Sequence, residues 1–421
     1  MLSILFKKNI YGREFFFLFF LYLTLILSFI LGENSTGGAE IDFPINKQLI
    51  FDFSQNFIGT LLSYDEYSHR HSPVFLIFLS LFKKVGLSFE GIRIIHLHLS
   101  LLLPIIFFQC LKIKYLNYDK KILFFLTSLI FLSPTFRSLA IWPDSRLLGL
   151  ILFSISIYHF LKFEDNKDLK HAIYNIIFLT LSAYISPNFS VFSIFFLIKF
   201  SLDYGIFTKK IFILVVLNLV LAIPALYYIF VLDIMFFLKS AAAGIDSSQS
   251  IIFNNLYNDI MITFSIIFFY LIPFIFFKVI KVENVLNFKN FLITLFILSI
   301  CVFNFDYNYS FTGGGIFFKL SNYIFNNNYA FYIISLFAVM IVCPIINKNY
   351  TNVLLFVLII INNPQYTIYH KYFDPFLLIV FFTIFSLNID LNKIFRAKNY
   401  MFIFSYFLVF LILSNLKLIY V

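Results

Sequence analysis

Two acidic residues, Glu40 and Asp42, lie two positions apart in the segment GGAEIDF, shortly after the first long apolar run of the chain. A carboxylate beside a bilayer could take a proton from an acceptor hydroxyl while that oxygen attacks. The same pair could instead bind a divalent metal ion through its oxygens. The ordinary alternative is a solvated pair of loop acids. We treat Glu40 and Asp42 as candidate catalytic residues.

Cationic side chains are grouped in the segments HRHSP and SPTFRSLAIWPDSR. The first contains His69, Arg70 and His71, which together suit the phosphate or pyrophosphate of a lipid. The same three residues could simply anchor the chain at headgroup depth. The second segment contains Asp144 and Arg146, which either pair with each other or help to shape a site.

A third candidate segment, NNPQYTIYHKYFDP, lies late in the chain and contains His370, Lys371 and Tyr372. A lysine ammonium is a compact point charge that suits a phosphate. The alternative is a positively charged loop at the membrane interface. The pattern does not decide between these two interpretations.

The elements that must position these residues are apolar helices. The chain has 421 residues, of which 61% are hydrophobic and only 12% are charged, a composition that excludes a soluble domain. Apolar runs repeatedly approach the roughly 20 residues that a transmembrane helix needs. We predict helices near residues 14–32, 92–111, 121–134, 146–162, 171–185, 189–206, 211–232, 259–279, 291–304, 328–346, 351–361, 374–390 and 400–418.

The predicted fold is therefore an all-α polytopic membrane protein with about eleven to thirteen transmembrane helices, forming one domain over residues 1–421. Residues 33–91 would form a long first extracytoplasmic loop with helices in the interface, and residues 92–421 the remaining bundle. With a cytoplasmic N-terminus, 20 Lys and Arg lie inside and 11 outside. This bias follows the positive-inside rule and predicts the inner (plasma) membrane.

Several other classes of protein have no support in the sequence. The net charge of +10 reports cytoplasmic loops, so we expect no nucleic-acid partner. Gly313, Gly314 and Gly315 follow no predicted strand and precede no GK[ST], which argues against a P-loop. The three cysteines match neither a disulfide framework nor a metal motif. The first apolar run lacks a cleavage site, so we expect it to be a retained helix.

The order of these features resembles the GT-C superfamily of integral-membrane glycosyltransferases, in particular the branch of protein O-mannosyltransferases and the lipid A aminoarabinose transferase. The resemblance covers residues 14–165 and the late motif Lys371-Tyr372-Phe373-Asp374-Pro375. The chain has Glu-Ile-Asp where the family has Asp-Glu, Ser-Pro for Pro-Pro, and Lys371 for a late Arg. The matching elements in the first part are Asp42 with Glu40, His71-Ser72-Pro73, Leu81-Phe82 with Gly86, and Arg93.

The resemblance implies an inverting sugar transfer from a polyprenyl-phosphate donor on the outer face, within a setting of membrane lipids. Asp42 or Glu40 would accept the proton of an unspecified lipid, glycan or protein acceptor, and the pair Asp65-Glu66 is the fallback. Developing charge on the leaving phosphate would be neutralised by basic side chains. The candidates for that role are Arg70, His71, Arg146 and Lys371, with His69, Asp144, His370 and Tyr372 in support.

A transporter or flippase is the main alternative function. It would require ionisable residues near the middle of helices and internally repeated halves. The sequence has few charges in mid-helix and no clear repeat. A glycan polymerase of another membrane fold and a non-catalytic scaffold stay open as further alternatives.

Overall fold

The computed structural model describes residues 12–36, 38–67, 72–231, 255–308, 313–363 and 367–419. Within these ranges the regular structure is helical, and the only β pairing is an isolated antiparallel bridge between Ile280 and Ile389. The predicted all-α class is therefore confirmed.

The helices of the first part of the chain include short ones that lie between longer apolar ones. They are α1 (Gly12–Leu31), α2 (Ala39–Gln55), α3 (Phe57–Leu62), α4 (Val74–Lys84), α5 (Phe89–Ser100), α6 (Leu102–Lys114), α7 (Lys120–Ser128), α8 (Pro134–Ile141), α9 (Ser145–Asn166) and α10 (Leu169–Ile185).

The second part of the chain continues the same pattern. Its helices are α11 (Phe192–Tyr204), α12 (Lys209–Phe230), α13 (Leu256–Phe276), α14 (Phe288–Phe303), α15 (Gly315–Phe325), α16 (Tyr329–Ile346), α17 (Tyr350–Ile361), α18 (Phe376–Thr383) and α19 (Asn399–Ile419).

Among the residues that the structure describes, six helical stretches are long and apolar enough to cross a membrane, so the chain is a membrane-embedded, multi-pass protein. A seventh candidate is the pair Lys120–Leu132 and Pro134–Ile141, which is bent by 64°. Four further apolar helices are shorter, with 10–17 residues. The predicted number of spans depends on whether these shorter helices cross the bilayer, and it stays a prediction. The six stretches are Phe89–Lys114, Ser145–Asn166, Lys209–Tyr227, Leu256–Phe276, Tyr329–Ile346 and Arg396–Leu416.

Many helices begin at a residue whose side chain accepts a hydrogen bond from the first turn. Such caps satisfy backbone N–H groups that have no partner within the helix, and they fix where the helix starts. The capping residues are Asn56, Ser88, Asp119, Ser133, Asp144, Asp168, Thr208, Asn287 and Asn349.

The segment after α1 folds into helices, as predicted for the first loop. The helix α2 packs on α4 and buries Phe43, Ile50 and Phe53, which form a small hydrophobic core separate from the main one. Its opposite side exposes apolar residues such as Ile41 and Ile45, at 67% and 60%. A helix with apolar residues on both sides suits a position at a membrane interface.

Several helices differ from the prediction. The helix predicted at 374–390 is shorter, since α18 ends at Thr383, and Lys114 donates hydrogen bonds to the carbonyl oxygens of Thr383 and Phe385. An ammonium group satisfies the unpaired carbonyls of a helix C-terminus and stabilises its negative end. The helices α8 and α15 were not predicted, because their eight and eleven residues are too few for a span.

The tightest helix pair is α9 with α10, where small residues let the two backbones approach. Ser182 donates to the carbonyl oxygen of Gly149 at 2.7 Å, and Asn175 donates to the carbonyl oxygen of Ser156 at 2.9 Å. Small residues and interhelical hydrogen bonds are the usual means of holding helices together in a membrane.

Gly149→Ala tests this close approach. A Cβ atom at position 149 would lie 2.6 Å from the Cβ atom of Ser186, so one of the helices must shift. We expect a loss of about 1–3 kcal/mol, typical of overpacking, seen as a lower Tm of the purified full chain in detergent. Gly12→Ala is the matched control, since nothing lies within 4 Å of its added Cβ atom. Equal Tm values for the two variants would contradict the packing argument.

Candidate functional site

The two acids of the first loop belong to the first turn of α2. Glu40 is exposed and accepts a hydrogen bond from the Nδ2 atom of Asn34 at 2.9 Å, whereas Asp42 is half-buried. Carboxylates at this position are stabilised by the positive end of the helix dipole. This provides a structural reason for both acids, beside any catalytic one.

Lys371 reaches the start of α2 from the other end of the sequence. A Cβ atom on Gly38 would lie 3.0 Å from the Nζ atom of Lys371. The lysine therefore lies against the residue that precedes α2, two positions from Glu40. Its ammonium also lies over the ring of Tyr369, at 5.1 Å from the ring centroid. Folding thus brings the residue that precedes α2 and the late motif together.

Arg146 is held beside the same motif. Its guanidinium stacks on the ring of Tyr372, 3.8 Å from the centroid, and its backbone N–H donates to the Oδ1 atom of Asp144 at 2.7 Å. Asp144 thereby caps α9, which is a different role from an ion pair with Arg146. The Nη1 atom of Arg146 is buried and has no hydrogen-bond partner among the described residues. A buried donor of this kind is available to an acceptor on a ligand.

The side chains of Arg146, Lys371 and Tyr372 line one small cavity. Its volume is about 10 Å³, roughly the space that one water molecule needs. Polar side chains lie on one part of its wall, and leucine and phenylalanine side chains lie on the rest. The lining residues are Thr135, Phe136, Leu139, Arg146, Leu147, Leu150, Phe189, Lys371, Tyr372, Asp374, Pro375 and Phe376.

Asp374 is the most firmly held polar residue of the cavity. Only 4% of it is exposed, and its Oδ2 atom accepts from the hydroxyl of Ser133 at 2.6 Å and the backbone N–H of Thr135 at 3.0 Å. Asp374 therefore binds the start of α8 and joins it to the segment before α18.

His370 faces away from this cavity and is not among its lining residues. Its Nε2 atom lies 3.1 Å from the hydroxyl of Tyr270, and its ring packs on Phe269 and Phe410. Burial lowers the pKa of His370 to about 4, and the attraction of Asp374 for the proton only partly offsets this. The ring is therefore neutral at physiological pH and supplies no charge to a phosphate.

The strongest ion pair near the site joins Glu33 to Arg137. The guanidinium Nε and Nη2 atoms donate to the Oε2 atom of Glu33 at 3.0 and 2.9 Å, and both side chains are nearly buried. Asn415 of α19 donates to the same carboxylate at 3.3 Å. Burial acts to raise the pKa of Glu33, but the hydrogen bonds and charge of Arg137 outweigh it, so the pKa is lowered.

Sequence reasoning did not identify Glu33, Ser133 or Tyr270 as residues that organise the site. Their partners lie far away in the sequence, so no local spacing could reveal them. The only available signal was their type, since polar residues at the ends of apolar helices must find partners. The predicted cationic group His69, Arg70 and His71 lies outside the described residues, and its role stays a prediction.

Within the described ranges, no group of three or more His, Cys, Asp or Glu side chains is arranged to bind a metal ion.

The glycines at 313–315 have a positional role. All three have positive φ angles, and the N–H of Gly314 donates to the carbonyl oxygen of Ile368 at 2.8 Å. They therefore support the segment that leads into the late motif.

Glu33→Gln tests the buried pair. It leaves the guanidinium of Arg137 buried without an opposite charge, which typically costs about 3–5 kcal/mol. We expect a clearly lower Tm for the full chain in detergent. Glu164→Gln removes the more exposed pair with Lys199 and should cost less than about 1 kcal/mol. Equal losses of Tm in both variants would show that burial does not increase the contribution of the Glu33 ion pair to stability.

The pH dependence of stability provides a separate test of Glu33. A carboxylate whose pKa is lowered on folding adds stability above its unfolded pKa of about 4.5, and this is lost as the pH falls through the folded value. We therefore expect the Tm of the wild type to fall below pH 4.5 more steeply than that of Glu33→Gln. If the Tm values of the wild type and Glu33→Gln fell in parallel as the pH decreased, the lowered pKa of Glu33 would be contradicted.

Comparison with known proteins identifies no relative of this chain. No protein-family model matches the chain, and no curated protein or solved structure is significantly similar to it. The resemblance to the GT-C superfamily therefore stays a prediction that rests on residues of this chain.

Proposed function

We propose that this chain is a glycosyltransferase that moves a sugar from a polyprenyl-phosphate donor to a lipid, glycan or protein acceptor. In this proposal the protein lies in the inner (plasma) membrane with a cytoplasmic N-terminus and acts on the extracytoplasmic face. One observation carries the proposal: Arg146 and Lys371 come from distant segments and line one cavity, and Lys371 also lies against Gly38, the residue that precedes the acidic first turn of α2.

The two carboxylates of α2 are the candidates for the general base. Glu40 is exposed and Asp42 is half-buried, so both can be approached by an acceptor hydroxyl. A base must lie within hydrogen-bond reach of the proton that it takes. The proposal leaves open which of the two acts.

The two cations are suited to the donor phosphate. Arg146 has a buried Nη1 atom that can donate to a phosphate oxygen, and stacking on Tyr372 fixes the plane of its guanidinium. Lys371 adds a second positive charge to the wall of the same cavity. Fixed cations that neutralise a leaving phosphate lower the barrier of the transfer step. Arg70 and His71 would add to this charge.

The apolar part of the cavity wall supports a lipid-linked donor. Leu147, Leu150 and Phe376 lie beside the cationic side chains, so a polar head and an apolar chain would each meet matching groups. A volume of about 10 Å³ cannot hold a sugar phosphate, so binding requires side chains to move. Lys371 is the lining residue with the most flexible side chain, and its displacement would open the cavity toward α2.

The experiment compares cells that lack the gene with cells that express variants of it at matched membrane levels, by mass spectrometry of surface glycans and glycolipids. Asp42→Asn or Glu40→Gln should lower the sugar-bearing product by about 100-fold or more if that residue is the base. Arg146→Gln and Lys371→Gln should each lower it by about 10- to 1000-fold.

Matched controls separate this chemistry from a general change of charge. Asp52→Asn lies on the same helix as Asp42, about 15 Å further along its axis, and should leave the product unchanged. Lys47→Gln is the control for the two cation variants. It removes a lysine of α2 that lies over Phe43 and Phe89, and it should also leave the product unchanged.

If Asp42→Asn and Glu40→Gln both restore the product fully, Asp65 and Glu66 become the next candidates for the base. If deletion changes no glycan while the gene is expressed, the transferase proposal fails and a transporter or flippase becomes the better hypothesis.

A further inference from the structure

A second and larger cavity lies at the other end of α18. The residues of the candidate site precede this helix directly, whereas Ser386, Leu387 and Asn388 follow it and line the second cavity. Eight residues of α-helix separate the two regions by about 12 Å. The volume of this cleft is about 630 Å³, which lies in the usual range of ligand-binding pockets.

Hydrogen bonds hold the segments that line the cleft. The N–H of Lys281 donates to the carbonyl oxygen of Asn388 at 2.9 Å, beside the bridge between Ile280 and Ile389. The buried side chain of Asn290 donates to the carbonyl oxygens of Val285 and Met340 at 2.8 and 2.9 Å. These contacts join the lining segments to one another and to α16.

The lining of the cleft is cationic and rich in amides. Lys281, Lys289 and Lys348 contribute three positive charges, against one negative charge from Glu283. The carboxylate of Glu283 accepts a hydrogen bond from Asn388 at 3.2 Å, which occupies one of its oxygens. The remaining polar lining consists mainly of asparagine side chains. Those that have at least one N–H free to donate to an anion are Asn284, Asn287, Asn347 and Asn388.

We propose that this cleft binds a phosphate group, and specifically the headgroup of an anionic membrane lipid. Three lysines with amide donors match phosphate chemistry, since each lysine near an anionic headgroup adds to the attraction. The lipid source is favoured because the start of α14, which lines the cleft, also exposes apolar side chains. Leu286 is 86% exposed, Phe288 72% and Leu292 49%. Acyl chains could pack there while the headgroup occupies the cleft.

Native mass spectrometry of the full chain in detergent tests this inference, with dioleoylphosphatidylglycerol as the probe and dioleoylphosphatidylcholine as the neutral-headgroup comparison. We expect one tightly retained phosphatidylglycerol in the wild type. The variant Lys281→Gln/Lys289→Gln/Lys348→Gln should bind it at least about tenfold more weakly. The matched control Lys170→Gln/Lys209→Gln/Lys210→Gln removes the same charge from exposed lysines outside the cleft and should bind like the wild type.

The corresponding triple Lys→Arg variant keeps the charge and should retain binding, which separates loss of charge from loss of folding. Inorganic phosphate added as a competitor identifies the source of the ligand. Displacement of phosphatidylglycerol only at high phosphate concentration supports a lipid headgroup. Tight binding of phosphate with no retained lipid overturns the lipid assignment. The site itself is overturned if both triple Lys→Gln variants weaken the binding of phosphatidylglycerol equally, or if the triple variant in the cleft does not weaken it at all. Because the readout is lipid binding, the result is independent of whether the chain transfers a sugar.

Discussion

The buried ion pair between Glu33 and Arg137 is the constraint on which the arrangement of the candidate site depends. A guanidinium within an apolar bundle must have its donors satisfied, because an unpaired buried charge is very costly. Arg137 meets this need with Glu33, with the carbonyl oxygen of Thr24 and with Ser28, all at the end of α1 or just after it. Asn415 of α19 completes the shell around Glu33. One pair therefore joins the first helix, the last helix and α8.

This pairing fixes the path of the chain into α2. The indole Nε1 of Trp142 donates to the carbonyl oxygen of Glu33 at 3.1 Å, and the hydroxyl of Ser35 donates to the carbonyl oxygen of Pro134 at 2.7 Å. Residues 33–36 thus follow the length of α8. Since α2 begins three residues later, the position of Glu40 is set relative to α8. Asp374 holds the other side of α8 through Ser133 and Thr135. Gly38 and Lys371 meet because the segments that carry them are attached to the same short helix.

The sequence predicts those parts of this fold that depend on local chemistry. Apolar runs specify most of the helices, and capping residues such as Asp144 and Asp168 set where some of them begin. Sequence reasoning also identified Lys371 and Arg146 by residue type alone. It could not identify the contact between Lys371 and Gly38, because that contact spans most of the chain. It also could not predict that Lys114, far earlier in the sequence, donates to the carbonyl oxygen of Thr383 at the end of α18.

The number of hydrogen bonds that each carboxylate accepts separates structural acids from candidate catalytic ones. Glu33 accepts from Arg137 and Asn415, and Asp374 accepts from Ser133 and Thr135, so several of their lone pairs are occupied inside the protein. A carboxylate in that condition is stabilised as an anion and is poorly suited to take a proton from an incoming hydroxyl. Glu40, in contrast, is exposed, lies at the end of a helix and has Asn34 as a neutral donor. The buried acids therefore help to hold the segments around α8 in position, and under the proposed function the general base would be Glu40 or Asp42.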